Sequence, residues 1–379
     1  MKYDKRRTVP LSQVCTLNMG QSPSSDSYNE NKDGLPFFQG NADFGNIYPK
    51  ERVWCSQPTK IASKDDILLS VRAPIGALNI AKEECCIGRG LAALSPIPSQ
   101  CRMMYLFYAL KSKVKILEQQ GTGSTFKAVG KDIISALHIP LYPLEEQEHI
   151  IRMLSCTDKG IANIHKQLAK LDTLVKSRFI EMFGDPHHST IFPYKKVKDF
   201  TEVRSGGTPS RKQDSYWRNG SIRWVKTTEL QNNEIYDTEE KITQEALEHS
   251  SAKLVPKDTV LIAMYGQGKT RGMTAYLKEE STTNQACACI LPSDSINQRY
   301  LWRYFMMSYE QLRELAQGAG QPNLTGEMIK NFPVLMPPKI LQEQYVAFAE
   351  LADKSELVLQ KLLEKQELLR AALMQEYFG

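Results

Sequence analysis

The segment from Gly121, "GTGSTFKAVGKDIISALHIPLYPLEEQEHI", returns from Gly318 as "GAGQPNLTGEMIKNFPVLMPPKILQEQYV". Both open on Gly-x-Gly. Both reach a proline after alternating apolar residues: Leu137, Ile139 and Pro140 in one copy, Val334, Met336 and Pro337 in the other. Each then starts a charged helix with Glu-Gln, at Glu146-Gln147 and Glu343-Gln344, giving an offset of 197 at both ends of the block. The copies close on "FIEMFG" at Gly184 and "MQEYFG" at Gly379. Earlier in each copy, "KDDILLS" (64–70) pairs with "KDTVLIA" (257–263), and "GALNIA" (76–81) with "GMTAYL" (272–277). A repeat of this length dictates the order globular unit, helix, globular unit, helix.

The globular units read as mixed α and β. Short β-rich runs such as "DILLSV", "TVLIAM" and "LHIPLY" lie between Gly, Pro, Asn and Asp clusters. "MMYLFYALKSKVKILEQ" (103–119) and "NQRYLWRYFMMSYEQLRELA" (297–316) read as helices. After the first unit, Ile161, Ile164, Leu168, Leu171 and Val175 recur at three- and four-residue steps, a seam of coiled-coil type. After the second, Leu359, Leu362, Leu363, Leu369 and Leu373 form a less regular stripe. Packed on each other, chain order makes these helices antiparallel. About 23 residues of helix span roughly 35 Å, close to the spacing of DNA half-sites read from one face. The expected architecture is α+β: two domains in tandem repeat, joined and held apart by two long antiparallel helices in a pseudo-two-fold, circular arrangement. The divisions fall at 1–144, 145–184, 185–341 and 342–379.

Bulk properties exclude several classes. No apolar run approaches the ~20 residues of a membrane span, so no membrane association is expected. The basic start "MKYDKRRTVP" has no apolar stretch behind it, which argues against a secretory signal and for a cytoplasmic location. The eight cysteines include no C-x2-C pair, and the six histidines no H-E-x-x-H. Neither a disulfide framework nor a metal site is expected. Net charge is only +5, but basic residues cluster in "KSKVK" (111–115), "PYKKVK" (193–198) and "PSRKQ" (209–213), with aromatic residues nearby, as nucleic-acid binding requires.

One stretch suggests a different chemistry. "AMYGQGKTRG" (263–272) has the A-x4-G-K-T spacing of a phosphate-binding loop, apart from alanine at its first position. Such a loop must lead into a helix whose N-terminus faces the phosphate. Here "GMTAYL" follows and reads as a strand. In the first copy the same slot holds "SVRAPIG" (70–76), three residues shorter and without Gly-Lys-Thr. The match is therefore read as coincidence, and the slot as a strand–loop–strand connection.

Taken together, "GLPFFQGNADFGNIYP" (34–49), "DILLSVRAPIGALNIAKEECCIGRGLAAL" (66–94), "IPLYPLEEQEHI" (139–150), "TVLIAMYGQGKTRGMTAYL" (259–277), "TNQACACI" (283–290) and "GQPNLTGEMI" (320–329) resemble the specificity subunits of type I restriction–modification enzymes. The resemblance extends over essentially the whole chain. It implies that each globular unit is a target-recognition domain for one half of a split double-stranded DNA sequence. It implies too that the helices are spacer and docking surface for two modification subunits. Those subunits would use S-adenosylmethionine to methylate adenine, and separate restriction subunits would use ATP and Mg2+. The subunit itself would bind no cofactor and have no catalytic role. In keeping with that, no [ND]-P-P-[YF] motif is present, and "GTGS" and "GAGQ" precede strands. A solitary or recombination-cassette recognition protein serving another restriction system is the alternative.

Reading DNA needs Arg or Lys on guanine, Asn or Gln on adenine, and polar groups on phosphates. The first domain offers Gln21, Ser22, Ser24, Tyr28, Gln39, Asn41, Arg72, Arg89, Thr122, Ser124 and Lys127 on Gly-flanked polar loops. The second offers Thr208, Ser210, Arg211, Lys212, Tyr216, Lys226, Thr227, Gln267, Lys269, Arg271, Gln321 and Asn323. Gln39 and Asn284 suit equally well a buried role satisfying loop backbone. Phe37, Trp54 and Trp224 are expected in the core. The two domains differ outside the shared motifs, so the expected target is asymmetric and bipartite.

Overall fold

The computed structural model describes residues 7–121, 127–266, 268–317 and 323–379. The chain forms two compact units, residues 1–165 with 360–379, and residues 166–359. Each long helix is therefore shared between the units, whereas the division at 144 and 341 had set the helices apart.

In the first unit, β1 (Cys15–Met19), β2 (Ile67–Ser70), β3 (Leu78–Ile80) and β4 (Leu91–Pro96) form an antiparallel sheet in the order β1-β4-β2-β3. "ILLS" is apolar without alternation because both faces of β2 are covered. Ile67 and Leu69 face a core containing Tyr105 and Leu106, while Leu68 faces a second cluster with Phe38 and Ile87. The helical run from Met103 is broken into α1 (Met103–Ser112) and α2 (Val114–Gln120). One long helix, α3 (Leu144–Phe183), follows.

In the second unit, β5 (Val203–Ser205), β6 (Asn233–Ile235), β7 (Val260–Ala263), β8 (Thr274–Leu277) and β9 (Cys287–Ile290) take the order β5-β9-β7-β8-β6. Here α4 (Gln298–Met307) and α5 (Tyr309–Gln317) break at Ser308, and the last helix is α6 (Lys339–Phe378). Both single-helix expectations for these segments are thus corrected to helix pairs. "GTGS" and "GAGQ" are corrected likewise, since the next element after each is a short helix, Lys131–Ala136 or Gly326–Lys330, before the strand. Each still follows a helix, so neither forms the strand–loop–helix setting of a cofactor loop.

Side-chain roles set the repeat more sharply than the motifs do. Tyr105 Oη donates to Pro140 O at 2.8 Å, and Tyr300 Oη to Leu335 O at 3.0 Å. Buried Gln147 accepts from Arg102 N and donates to Gln100 O and Tyr142 O. Buried Gln342 accepts from Asn297 N and donates to Pro337 O. Tyr108 bonds Asp158, and Arg303 bonds Asp353. All of these pairs lie 195 residues apart, so the offset of 197 holds only at the glycines and the true partner of Gln147 is Gln342. The helices on both sides of the glycines keep the offset of 195, starting at Val114 and Tyr309 and at Lys131 and Gly326, so the Glu-Gln match at 197 arises from neighbouring glutamate and glutamine residues.

Each core is completed by the far end of a helix that begins in the other unit. Phe179 and Phe183 of α3 pack edge-on with Tyr345 and stack or pack edge-on with Tyr300, at centroid distances of 5.3–6.0 Å. Leu373 and Phe378 of α6 enter the first core, with Phe378 5.2 Å from Tyr105 and its carbonyl accepting from Lys113 Nζ. Within each unit the helices run antiparallel: Arg370 pairs with Asp158 in the first, and Arg178 lies over Phe348 in the second. The seam residues Ile161, Ile164, Leu168, Leu171 and Val175 are buried or half-buried as expected. On α6 the seam instead runs through Leu359, Leu363, Gln366, Arg370 and Leu373, leaving Leu362 and Leu369 exposed.

Replacing Gln147 or Gln342 by leucine strands two or three buried backbone groups, each costing about 1–3 kcal/mol. Urea denaturation is expected to show a loss of at least about 2 kcal/mol for either variant.

Candidate nucleic-acid interface

Antiparallel pairing brings the ends of alternate strands to one end of each sheet. In the first unit Met19 pairs with Ala92, and Ser70 with Leu91, so the loops after β1 and β2 meet the loop before β4. In the second, Ser205 pairs with Ala288, and Ala263 with Cys287. Close approach of backbone fixes these loops. A Cβ on Gly20 would lie 2.2 Å from Gly88 O, and one on its counterpart Gly206 would lie 2.3 Å from Asn284 O, so only glycine fits.

This end of the first unit gathers most of its predicted residues. Gln21 N donates to Ile87 O at 3.0 Å and Arg89 N to Ser22 Oγ at 3.3 Å. Gly88 N donates to Phe38 O, bringing Gln39 beside them, and Val71 N to Gly90 O, bringing Arg72. A β-bridge joins Arg72 to Ala128, next to Lys127. Gln21, Gln39, Arg72, Arg89 and Lys127 are exposed. The buried alternative for Gln39 is therefore overturned: Asp43 Oδ2 accepts from its backbone N–H, leaving the amide side chain at the surface. Gln39 and Asn41 line a cleft of about 460 Å³ with Asp43, Ala73 and Pro74. Ser24 is exposed and its carbonyl caps Ser27. Tyr28 is half-buried, packs tilted against Phe37 with ring centres 4.7 Å apart and donates to Pro23 O, so it supports the loop.

The second unit is less open. Thr208 Oγ1 bonds the Gln285 side chain, and Trp224 Nε1 donates to Gly207 O at 3.0 Å. Arg211 stacks 3.7 Å from the Trp217 ring centre, with Trp224 at 5.0 Å, and pairs with Glu240 at 2.6 Å. Lys226 pairs with Glu239 at 2.6 Å and Glu240 at 3.2 Å. The Glu239 hydrogen bond raises the Lys226 pKa. Burial works to raise Glu240, but bonds from Arg211 and Lys226 hold its carboxyl below the usual range. Both cations are thus neutralised locally, which their spacing in the sequence did not reveal. Ser210 O accepts from Trp217 Nε1, Tyr216 packs against the Trp224 cluster, and Thr227 caps a turn through Leu230 N. Lys212 and Lys269 are exposed; Arg271 and Asn323 are half-buried, and Leu324 N bonds Met264 O beside the loop after β7. Thr122, Ser124, Gln267 and Gln321 lie outside the described residues. Asn284 fits its backbone role, accepting from Ala286 N, and Phe37, Trp54 and Trp224 are core.

The loop 263–272 leads into β8, a strand, as expected. Among the described residues no cluster of His, Cys, Asp or Glu could hold a metal, and no helix is long and apolar enough to cross a membrane. Burial pushes the Cys15, Cys85 and Cys101 thiols up to about 12, which makes them poor nucleophiles. Within the second unit an apolar groove of about 680 Å³ runs between the long helices, lined by Leu171, Leu174, Leu351 and Val358.

The sequence profile of the type I restriction modification DNA specificity domain matches residues 4–173 and again 192–368. The chain belongs to that family. It is 42% identical over 158 residues to a putative type I restriction enzyme MjaX specificity subunit of Methanocaldococcus jannaschii, covering 42% of this chain and 37% of that one. For the first such relatives the match spans 33–42% of their length. Among solved structures, the S subunit of a type I restriction–modification system from M. genitalium superposes with a TM-score of 0.65 at 15% identity, covering 100% of this chain and 98% of that one. A chain from a structure on complex assembly and conformational transition of the type I R-M system gives 0.60 at 16% identity, covering 98% and 96%. These likenesses establish the fold: two specificity domains in tandem with long helices between.

Arg211→Ala, which removes the Trp stack and the Glu240 pair, is expected to destabilise the second unit by about 1–2 kcal/mol. Lys212→Ala is expected to stay within about 0.5 kcal/mol in the same denaturation experiment.

Proposed function

We propose that this chain is the sequence-specific DNA-binding specificity subunit of a type I restriction–modification system. It reads an asymmetric, two-part double-stranded target and has no catalytic role. The observation that carries this is the repeated frame with unlike loops at one end of each sheet. In the first unit Val71–Ile75 connects β2 to Gly76, and in the second the longer Met264–Arg271 connects β7 to Gly272. One frame presents Arg72, Arg89 and Lys127; the other presents Lys212 and Lys269. Unlike side chains on like frames read unlike half-sites.

The long helices supply the gap between the half-sites and dock two modification subunits. The exposed apolar groove beside Leu174, Leu351 and Val358 supports that docking, since such a patch marks a protein partner. Those subunits use S-adenosylmethionine to methylate adenine, and restriction subunits use ATP and Mg2+; this chain binds none of these, and the assembly works in the cytoplasm.

Methylome sequencing of a host expressing the chain with its modification partner is expected to show adenine methylation at one two-part sequence with a fixed gap. An unaltered methylome with both proteins present contradicts the proposal. Arg89→Ala is expected to relax one half-site by about 10- to 100-fold and leave the other unchanged.

A further inference from the structure

The loop after β7 is three residues longer than its counterpart after β2, yet the described part of it is held firmly. Its base closes on the shared frame: Met264 N donates to Ala286 O and Gly272 N to Ala263 O, as Val71 N does to Gly90 O and Gly76 N to Ser70 O. Beyond that base the copies part. In the first unit the connection turns back at once. Gly76, at φ +92°, sits on Val114 of α2, and Ile75 is buried. Val114 and Glu118 correspond, at the offset of 195, to Tyr309 and Arg313 of α5.

Tyr309 and Arg313 lie one turn apart on one face of α5. Tyr309 Oη donates to Lys269 O at 2.8 Å. Arg313 Nη1 donates to Gly268 O at 2.9 Å, to Arg271 O at 3.2 Å and to Tyr309 Oη at 3.1 Å. The guanidinium lies 5.3 Å from the Tyr309 ring centre. Gly272, at φ +87°, lets the returning chain approach both side chains. Three carbonyls of an exposed loop are thus turned inward onto one aromatic–guanidinium pair. Lys269 remains at the surface, and Arg271 Nε is buried without an internal hydrogen-bond partner. A charged donor on neutral carbonyls is a strong, directional tie, and it spends Arg313 on protein backbone instead of on a ligand.

We propose that Tyr309 and Arg313 are positioning residues for the second half-site: they fix residues 268–272 so that Lys269 meets a DNA phosphate, touching no DNA themselves. The inference rests on the DNA-reading role proposed above. Pre-ordering the loop removes an ordering cost from binding, and the longer loop needs it where the shorter one does not. The same clamp accounts for the Gly-Lys-Thr sequence: the glycines let the backbone curl toward α5, and the lysine is carried on the outside.

Two measurements test this. Hydrogen–deuterium exchange on the full chain without DNA is expected to speed up in the loop by about tenfold in Arg313→Ala, with β8 unchanged and Arg313→Lys intermediate. Loop exchange equal to wild type refutes the clamp. DNA affinity of the chain assembled with its modification partner is then followed against KCl. Lys269→Ala is expected to lower the slope of log K against log salt by about one. Arg313→Ala is expected to lower it equally, and the double variant no further. An additive double variant overturns the positioning role, because Arg313 then acts apart from Lys269. Arg72→Ala, in the other unit, keeps the readings apart: its loss of affinity should add to either variant. A wild-type assembly with no preference for a two-part site refutes the DNA-reading role itself, whatever the exchange result. Should Arg313→Ala not fold, Tyr309→Phe and Arg313→Lys carry the same comparison.

Discussion

The structure depends on how each helix end finishes a core that begins elsewhere in the chain. Phe179 and Phe183 are fully buried among Tyr300, Tyr304 and Tyr345, and Leu373 and Phe378 are buried beside Tyr105. Truncating a buried phenylalanine costs roughly 3–5 kcal/mol, a large part of a domain's stability. Neither unit can therefore be cut at the helix without opening its core. The buried glutamines act at the other end of the same device. Gln147 and Gln342 tie the first turn of each long helix to the backbone ahead of α1 and α4, so helix direction is fixed where it leaves its unit. Asp158 and Asp353, one gripped by Tyr108 and Arg370 and the other by Arg303, repeat the tie further along.

This frame leaves the loop end of each sheet free to vary. Gly20 and Gly206 hold the backbones together through contacts no side chain could replace. The side chains carried there are unlike. The first unit presents three exposed cations, Arg72, Arg89 and Lys127, beside Gln21 and Gln39. The second withdraws Arg211 and Lys226 into pairs with Glu239 and Glu240 and holds Lys269 out on a clamped loop. A protein that must keep one geometry while changing what it recognises benefits from separating the two in this way.

Much of this was legible in the sequence because repetition and periodicity are local signals. The run "DILL" announced a strand, and the Ile161–Val175 seam announced a helix pair. What was not legible depended on distance. The breaks at Lys113 and Ser308 fall in runs with good helix formers on either side, and tertiary packing decides them. The register of 195 is set by partners such as Tyr105 with Pro140, whereas the sequence matches disagree, with 197 at the opening glycines and 195 at the closing Phe-Gly. Gln39 looked suited to a buried role, yet Asp43 serves its backbone and frees its side chain. Arg211 and Lys226 look like free cations until Glu239 and Glu240, over a dozen residues on, are folded against them. The slot holding Gly-Lys-Thr read correctly as a strand–loop–strand connection, but its clamp by Tyr309 and Arg313 could not be foreseen.

If the long helices space two half-sites as proposed, shortening both helices together changes the gap most directly. In the second unit Leu171 and Val358 line one groove, which places residues 168–171 opposite 355–358. Deleting both segments removes about one turn, roughly 6 Å of rise, from each helix. The methylome of cells carrying this variant with its modification partner is predicted to keep both half-sites and shorten the gap by about two base pairs. Full methylation at an unchanged gap would contradict the account.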